Sequence, residues 1–296
     1  MNLLSKKSAW IDHLHIHFIV LLYGFTGILG KLISVNATEL VSYRMFIAAI
    51  SIGLYAWWKK VDFRLPLAVL GKVVGVGAIV AVHWITFFGA IKVSNVSVAL
   101  GCMASATLFT SILEPLIEKR RISWLEIFIG LIIIIGLYII TQFAFDYYWG
   151  IILALISAFL ASLFGVLNRI LVQKHNHYTI SFYEMLSGFL LILLYTFFTP
   201  EATFAPLSLS ASDLGYLLIL ACLCTAYAFV ATIYITKRLT AFDVALAINM
   251  EPIYAIILAF WIFGESEKMD IGFYIGAFII IASVFSYPIL QKKWKT

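Results

Sequence analysis

The sequence predicts an all-α integral membrane protein with ten transmembrane helices, arranged as two inverted five-helix repeats with both termini cytoplasmic. Three observations carry this prediction. Of 296 residues, 63% are hydrophobic and only 12% are charged, which leaves too few polar residues to cover a soluble surface. The apolar residues gather into runs close to the ~20 residues that cross a bilayer. The cations fall in short clusters between those runs, where they would face an anionic leaflet rather than nucleic acid.

The ten segments run over 13–34, 38–58, 67–91, 95–117, 122–142, 147–172, 178–199, 212–236, 241–263 and 270–290. Residues 1–12 and 291–296 form cytoplasmic flanks, and the longest connection, "TPEATFAPLSLSASD", reads as a true loop because of its Pro and Ser. With the N-terminus inside, sixteen Lys and Arg residues face inward, among them Lys6, Lys7, Lys59, Arg120, Arg169, Arg238 and Lys293. Three (Lys31, Lys92 and Lys268) face outward, and Arg44 lies within a helix. That bias places both termini in the cytoplasm, and a bacterial cell inner membrane is the expected location. The N-terminal apolar run is too long for a cleavable signal peptide. Cys102, Cys222 and Cys224 all fall in apolar segments and read as small packing residues.

The two halves, 13–142 and 147–290, resemble each other. "SYRMFIAAISIGLYAWW" aligns with "FYEMLSGFLLILLYTFF", "GILGKLI" with "GVLNRIL", and "AIKVSNVSVAL" with "ITKRLTAFDVAL" given one residue of slack. Five helices is an odd number, so the second repeat inserts upside down. Secondary transporters are built this way, with a substrate site between the halves near the midplane.

The carriers of a wider likeness are "YRMFIAA" with Arg44, the run from "HWITFFGAIKVSNVSVALG" through "EPLIEKRR", and "TAFDVALAINMEPIYAIILAFWIFGE" with Gly272 and Gly276 after it. On these residues the chain resembles the drug/metabolite transporter superfamily, and its EamA-type ten-helix family in particular. In that family a helix with a mid-segment proline ends in Gly-Glu; Pro252, Gly264 and Glu265 match. The first half departs from the pattern: its Glu114–Pro115 pair sits late in the helix, and Ile117 rather than glycine precedes Glu118. The resemblance implies a secondary exporter of small organic metabolites such as amino acids.

Depth separates the informative charges. Glu251 is about ten residues into its helix, ~15 Å deep and near the midplane. A charge there costs roughly 2.5–3.5 kcal/mol, so it faces the bundle interior or a wet cavity. Three roles stay open for it: a structural pair with a buried cation or donor, a substrate contact, and a proton-coupling carboxylate. Pro252 kinks the helix and frees the carbonyl of Ile248, putting that carbonyl, Asn249 and Glu251 within one turn. Glu114, by contrast, reads as an interfacial ion pair beside Glu118 and Lys119–Arg121.

Arg44 and Glu184 occupy matching positions in the repeats, as gate or ion-pair contacts or as local anchors to Glu39 and Arg169. Lys31 and Arg169 read as snorkelling cations. His83 is a proton-sensitive site or a satisfied buried histidine, and Trp84, Phe87 and Phe88 cover a cavity or pack. Tyr227, Tyr234 and Tyr254 play the same part in the second half. His13 and His17 share a face, and an interfacial cluster suits them better than a metal site. Gly24, Gly27, Gly30, Gly71, Gly75 and Ala78 allow close helix contact.

The substrate cavity is therefore expected among segments 1, 3, 4, 6, 8 and 9. HExxH, GxSxG and Walker A signatures are missing, so neither an enzyme nor an ATP-driven pump is expected, and no cofactor. The partners are a small-molecule substrate, the bilayer and candidate coupling protons, with no nucleic acid and a monomeric or homodimeric state. The rival readings are an exchanger or importer of an anionic or lipid-linked metabolite, a non-transporting scaffold, and an intramembrane enzyme.

Overall fold

The structure, a computed structural model, describes residues 3–142, 145–198, 209–264 and 270–294, with most side chains between Leu14 and Leu290. Glu265, Lys268, most of the 199–213 connection and the side chains of Lys6, Lys7 and His13 lie outside the described residues. The described chain is helical: α1 Leu3–Leu32, α2 Ala37–Trp58, α3 Leu67–Val93, α4 Val96–Met103, α5 Ala106–Glu118, α6 Trp124–Gln142 and α7 Tyr148–Val172. Then follow α8 His177–Phe198, α9 Ala211–Ala221, a π turn Cys222–Tyr227, α10 Ala228–Ile235, α11 Ala241–Ile248, α12 Glu251–Phe263 and α13 Ile271–Trp294. They make ten helical segments, of which eight are long and apolar enough to cross a membrane; Trp124–Gly136 and Ile271–Tyr287 are shorter apolar stretches.

Two boundaries differ from the sequence reading. α1 starts at Leu3 and α13 runs to Trp294, so both flanks are largely continuations of helices. Segments 4 and 9 are broken helices rather than continuous ones. Segment 4 breaks at Ala104–Ser105, where the Ser105 hydroxyl donates to Cys102 O at 2.8 Å and competes with the helical ladder. Segment 9 breaks at Asn249–Met250, and Pro252 stands in the first turn of α12, where its missing N–H costs least. The backbone stays right-handed helical through Asn249 and Met250, so the break is a local kink beside Pro252, as expected.

Cross-links between helix ends reveal the up-and-down order. One end joins Arg169 near the end of α7, Glu118 at the end of α5 and Leu239 in the α10–α11 turn, and it joins Thr179 of α8 to Asp62 O after α2. We call it the cation-rich end, since Lys59, Arg64, Arg120, Arg169 and Arg238 all belong to it. The other end joins Ser34 to Asp213 of α9 and Lys92 to Ile33 O. Exposed tryptophans mark both levels: Trp57, Trp58 and Trp124 at the first, Trp149 and Trp261 at the second. Such belts sit at membrane–water interfaces.

Small residues set how closely the helices approach. A Cβ at Gly24 would stand 3.3 Å from Ala255 N of α12, one at Gly27 3.0 Å from Val96 Cγ1 of α4, and one at Gly30 2.4 Å from the Phe88 ring. α1 therefore lies against the broken helices, as its glycines predict. The expectation for Gly71 and Gly75 fails: both are exposed, with nothing within 4 Å of an added Cβ. On α3 the contact glycine is Gly77, on another face of the helix, where a Cβ would come within 2.6 Å of Glu184 O on α8.

Candidate functional site

At the centre of the bundle a cavity of about 140 Å³ is lined by α1, α2, α3, the end of α4, α5, α7, α10, α11 and the start of α12. The expected segments 1, 3, 4, 6, 8 and 9 all contribute, and segment 2 joins them through Arg44.

Arg44 is the organising residue. It is 1% exposed, and its Nε donates to Thr225 Oγ1 at 2.6 Å. Its guanidinium carbon lies 3.9 Å from the Trp84 ring centroid and 5.4 Å from that of Phe88. A desolvated cation over an indole face gains ~2 kcal/mol. Its Nη1 is buried with no hydrogen-bond partner among the described residues. Thr225 holds its place because it sits in the π turn and donates to Leu220 O, five residues back, at 2.8 Å. Local anchoring of Arg44 to Glu39 does not occur.

Glu251 opens α12 and lines the same cavity. It feels the charge of Arg44, yet it accepts no hydrogen bond among the described residues. Asn249 lies just before it, in the break, and donates from Nδ2 to Thr107 Oγ1 of α5 at 2.6 Å. That bond ties the interruption of segment 9 to the interruption of segment 4, so both breaks meet at the cavity.

His83 also lines the cavity, but its Nδ1 lies 2.8 Å from Ser157 Oγ and 2.9 Å from Ser157 O, and Ser157 Oγ donates back to His83 O at 2.9 Å. It fastens α3 to α7. Two of the remaining candidates stand apart. Tyr254 packs beside Gly24 and is not part of the cavity wall. Glu184 lies behind Asn168, whose Nδ2 donates to Glu184 Oε2 at 3.3 Å; Glu184 Oε1 and Asn168 Oδ1 are buried without partners among the described residues. Glu184 does not pair with Arg169, which is engaged elsewhere. Tyr227 and Tyr234 line a different cavity.

Sequence reasoning missed Tyr23, Asn168, Thr107 and Thr225. Tyr23 bonds Thr232 Oγ1 at 2.7 Å and so joins α1 to α10 across one wall. Each is a single hydroxyl or amide in an apolar run, and only the register between helices reveals its partner.

Contacts tie the helices together at both ends. At the cation-rich end Glu114, fully buried, accepts from Ala241 N at 2.8 Å and Phe242 N at 3.1 Å, and pairs with Arg120 at 3.1 Å and Arg169 at 3.3 Å. Arg120 continues to Glu126 at 2.8 Å and Arg169 to Glu118 at 2.8 Å. Arg169 is thus part of a network rather than a snorkelling cation. Lys31 stacks 4.2 Å from the Phe263 ring centroid at the opposite end, where Asp213 takes the Ser34 amide at 2.8 Å and its hydroxyl at 2.6 Å. Among the described residues no three His, Cys, Asp or Glu side chains are grouped as metal ligands; His15 bonds the Tyr227 hydroxyl at 2.8 Å instead.

Similar proteins agree with this architecture. A crystal structure superposes with a TM-score of 0.72 at 15% identity, covering 98% of this chain and 99% of that one, a likeness of fold. An uncharacterized transporter of Archaeoglobus fulgidus is 24% identical over 193 residues, so the match spans 65% of each protein's length. Residues 13–142 and 148–287 each match the EamA-like transporter family. On that double match the chain belongs to the EamA-like transporter family.

Proposed function

We propose that the chain is a secondary transporter that exports small zwitterionic metabolites, amino acids among them, by alternating access. One observation carries the reading: Arg44 and Glu251 line one central cavity, and neither the Arg44 Nη1 nor the Glu251 carboxylate has a hydrogen-bond partner among the described residues. Buried charges are costly unless paired. A solute with a carboxylate and an ammonium group answers both, with Trp84, Phe87 and Phe229 around its side chain. The size agrees, since a cavity of ~150 Å³ holds a benzene-sized guest.

In this reading the two repeats, 13–142 and 147–290, are inverted and rock about the crossing of their broken helices. The Glu114–Arg169 network and the Ser34–Asp213 clasp open in turn. The cation-rich end faces the cytoplasm of a bacterial inner membrane. No ATP is used; the drive is the solute gradient, or protons carried by Glu251, because His83 is held by Ser157. Counterflow in proteoliposomes tests it, using labelled amino acids and phosphorylated anions with and without a pH gradient. Exchange of amino acids is expected. Exchange of anions alone would replace this reading with the anion exchanger, and no exchange at all would remove transport of these classes.

A further inference from the structure

A second cavity opens at the side of the bundle, between α1, α2, α8 and a wall made by the π turn and α10. At about 570 Å³ against 140 Å³ it is roughly four times the central one, and it shares no lining residue with it. The two lie on opposite faces of one wall. Phe229, Thr232 and Ile233 face the centre; Val230, Ala231 and Tyr234 face the side. Within the π turn, Thr225 holds Arg44 while Cys222, Ala226 and Tyr227 line the lateral cavity.

Its chemistry is graded along the helix axes. At the cation-rich end stand His177, Tyr178, Tyr55 and Tyr234, with the His177 ring 4.2 Å from Tyr178 and 4.9 Å from Tyr234 between centroids. The Nδ1 of His177 is buried without a partner among the described residues. Deeper in, the wall is Ile52, Ala226 and Val230, and Cys222 lies ~18 Å below Tyr234 along the helix. The polar groups further in are satisfied by the protein: His15 bonds Tyr227, and Ser51 donates to Ile47 O. Tyr55 and Tyr178 hydrogen-bond each other, so open hydrogen-bonding capacity among the described residues rests at headgroup level on His177 and Tyr234, with apolar wall beneath.

The rim is positive. Lys59 Nζ stands 5.7 Å from the Tyr55 centroid, the Arg238 guanidinium 5.0 Å from that of Tyr234, and Lys237 acts electrostatically on His177. Among the described residues no Asp or Glu lines the cavity. Tyr55, Tyr227 and Tyr234 remain 43%, 42% and 39% exposed, so the cavity opens sideways to the bilayer.

We propose that this lateral cavity binds one anionic phospholipid from the leaflet at the cation-rich end. Its phosphate lies by His177 and the rim cations, and one acyl chain runs along Ile52, Ala226 and Val230. The inference does not depend on the substrate or direction of transport. It places a lipid against the wall that holds Arg44.

Native mass spectrometry of the delipidated, detergent-purified protein tests it by titration with phosphatidylglycerol and phosphatidylcholine of identical chains. One saturable phosphatidylglycerol adduct is expected, preferred at least about tenfold, and weakened about fivefold by Arg238→Gln, since each surface cation adds that much attraction. Val230→Trp fills the acyl channel and removes the adduct. A phosphatidylglycerol with a photoreactive acyl chain serves the wild-type protein alone and should label residues 222–234. Equal adducts with both lipids, or label spread evenly over the outer helices, would overturn the proposal. So would displacement of the lipid by glycerol phosphate at equal concentration, which would mark a soluble-phosphate site instead.

Discussion

Glu114–Pro115 and Glu251–Pro252 are the same dipeptide in the fourth and ninth segments, with opposite fates. Glu114 sits late in α5, at the cation-rich end, and is saturated: two backbone N–H groups of α11 and two arginines converge on its oxygens. A carboxylate at a helix N-terminus is further favoured by the helix dipole. Glu251 begins a new helix at a break, faces a cavity and accepts no hydrogen bond among the described residues. The difference teaches that a buried carboxylate holds structure when the protein completes its shell; where the shell is left open, the proposed function gives it to a solute.

The contrast can be broken most forcefully at Glu114. Glu114→Ala leaves Arg120 and Arg169 without their shared partner and should cost ~3–5 kcal/mol, as breaking a buried pair does. We expect folded yield and the thermal midpoint in detergent to fall sharply, while Glu251→Gln stays near wild type. Equal losses in the two variants would erase the distinction.

Arg44→Lys probes the open site. A compact ammonium cannot reproduce the planar fork lying on Trp84. Exchange should fall on the order of tenfold to a hundredfold, matching the worth of a charged hydrogen bond, in protein that still elutes as a single folded species. Glu251→Gln sharpens the roles further. It should raise KM for zwitterions about tenfold and leave carboxylates without an amine little changed. If uphill movement driven by a pH gradient also stops while exchange persists, Glu251 carries the proton as well.

The smallest effect is expected at the crossing of the breaks. Thr107→Val removes the acceptor of Asn249 and should lower stability by about 1 kcal/mol, with exchange slowed rather than lost. Chemical unfolding and initial rates measure both. A change as large as that of Arg44→Lys would move Asn249 from the scaffold into the substrate site.

Much of this was legible in the chain. Hydropathy and cation spacing determine the segment count and the common end of the clusters, because the bilayer has a fixed thickness and each helix must satisfy its own backbone. Depth counted along a helix also separates Glu114 from Glu251, since the rise per residue is constant. The glycines of α1 foretell close approach, but those of α3 mislead, because a small residue does not say which face meets a neighbour. His83 and Arg44 are visible as costly groups; that Ser157 satisfies one and Trp84 with Thr225 holds the other is not. Spacing along a chain fixes depth and face within one helix, whereas rotation and contact between helices come from packing across residues as distant as Arg44 and Thr225. The tertiary structure alone therefore decides which buried polar groups complete one another and which are left without a partner among the described residues.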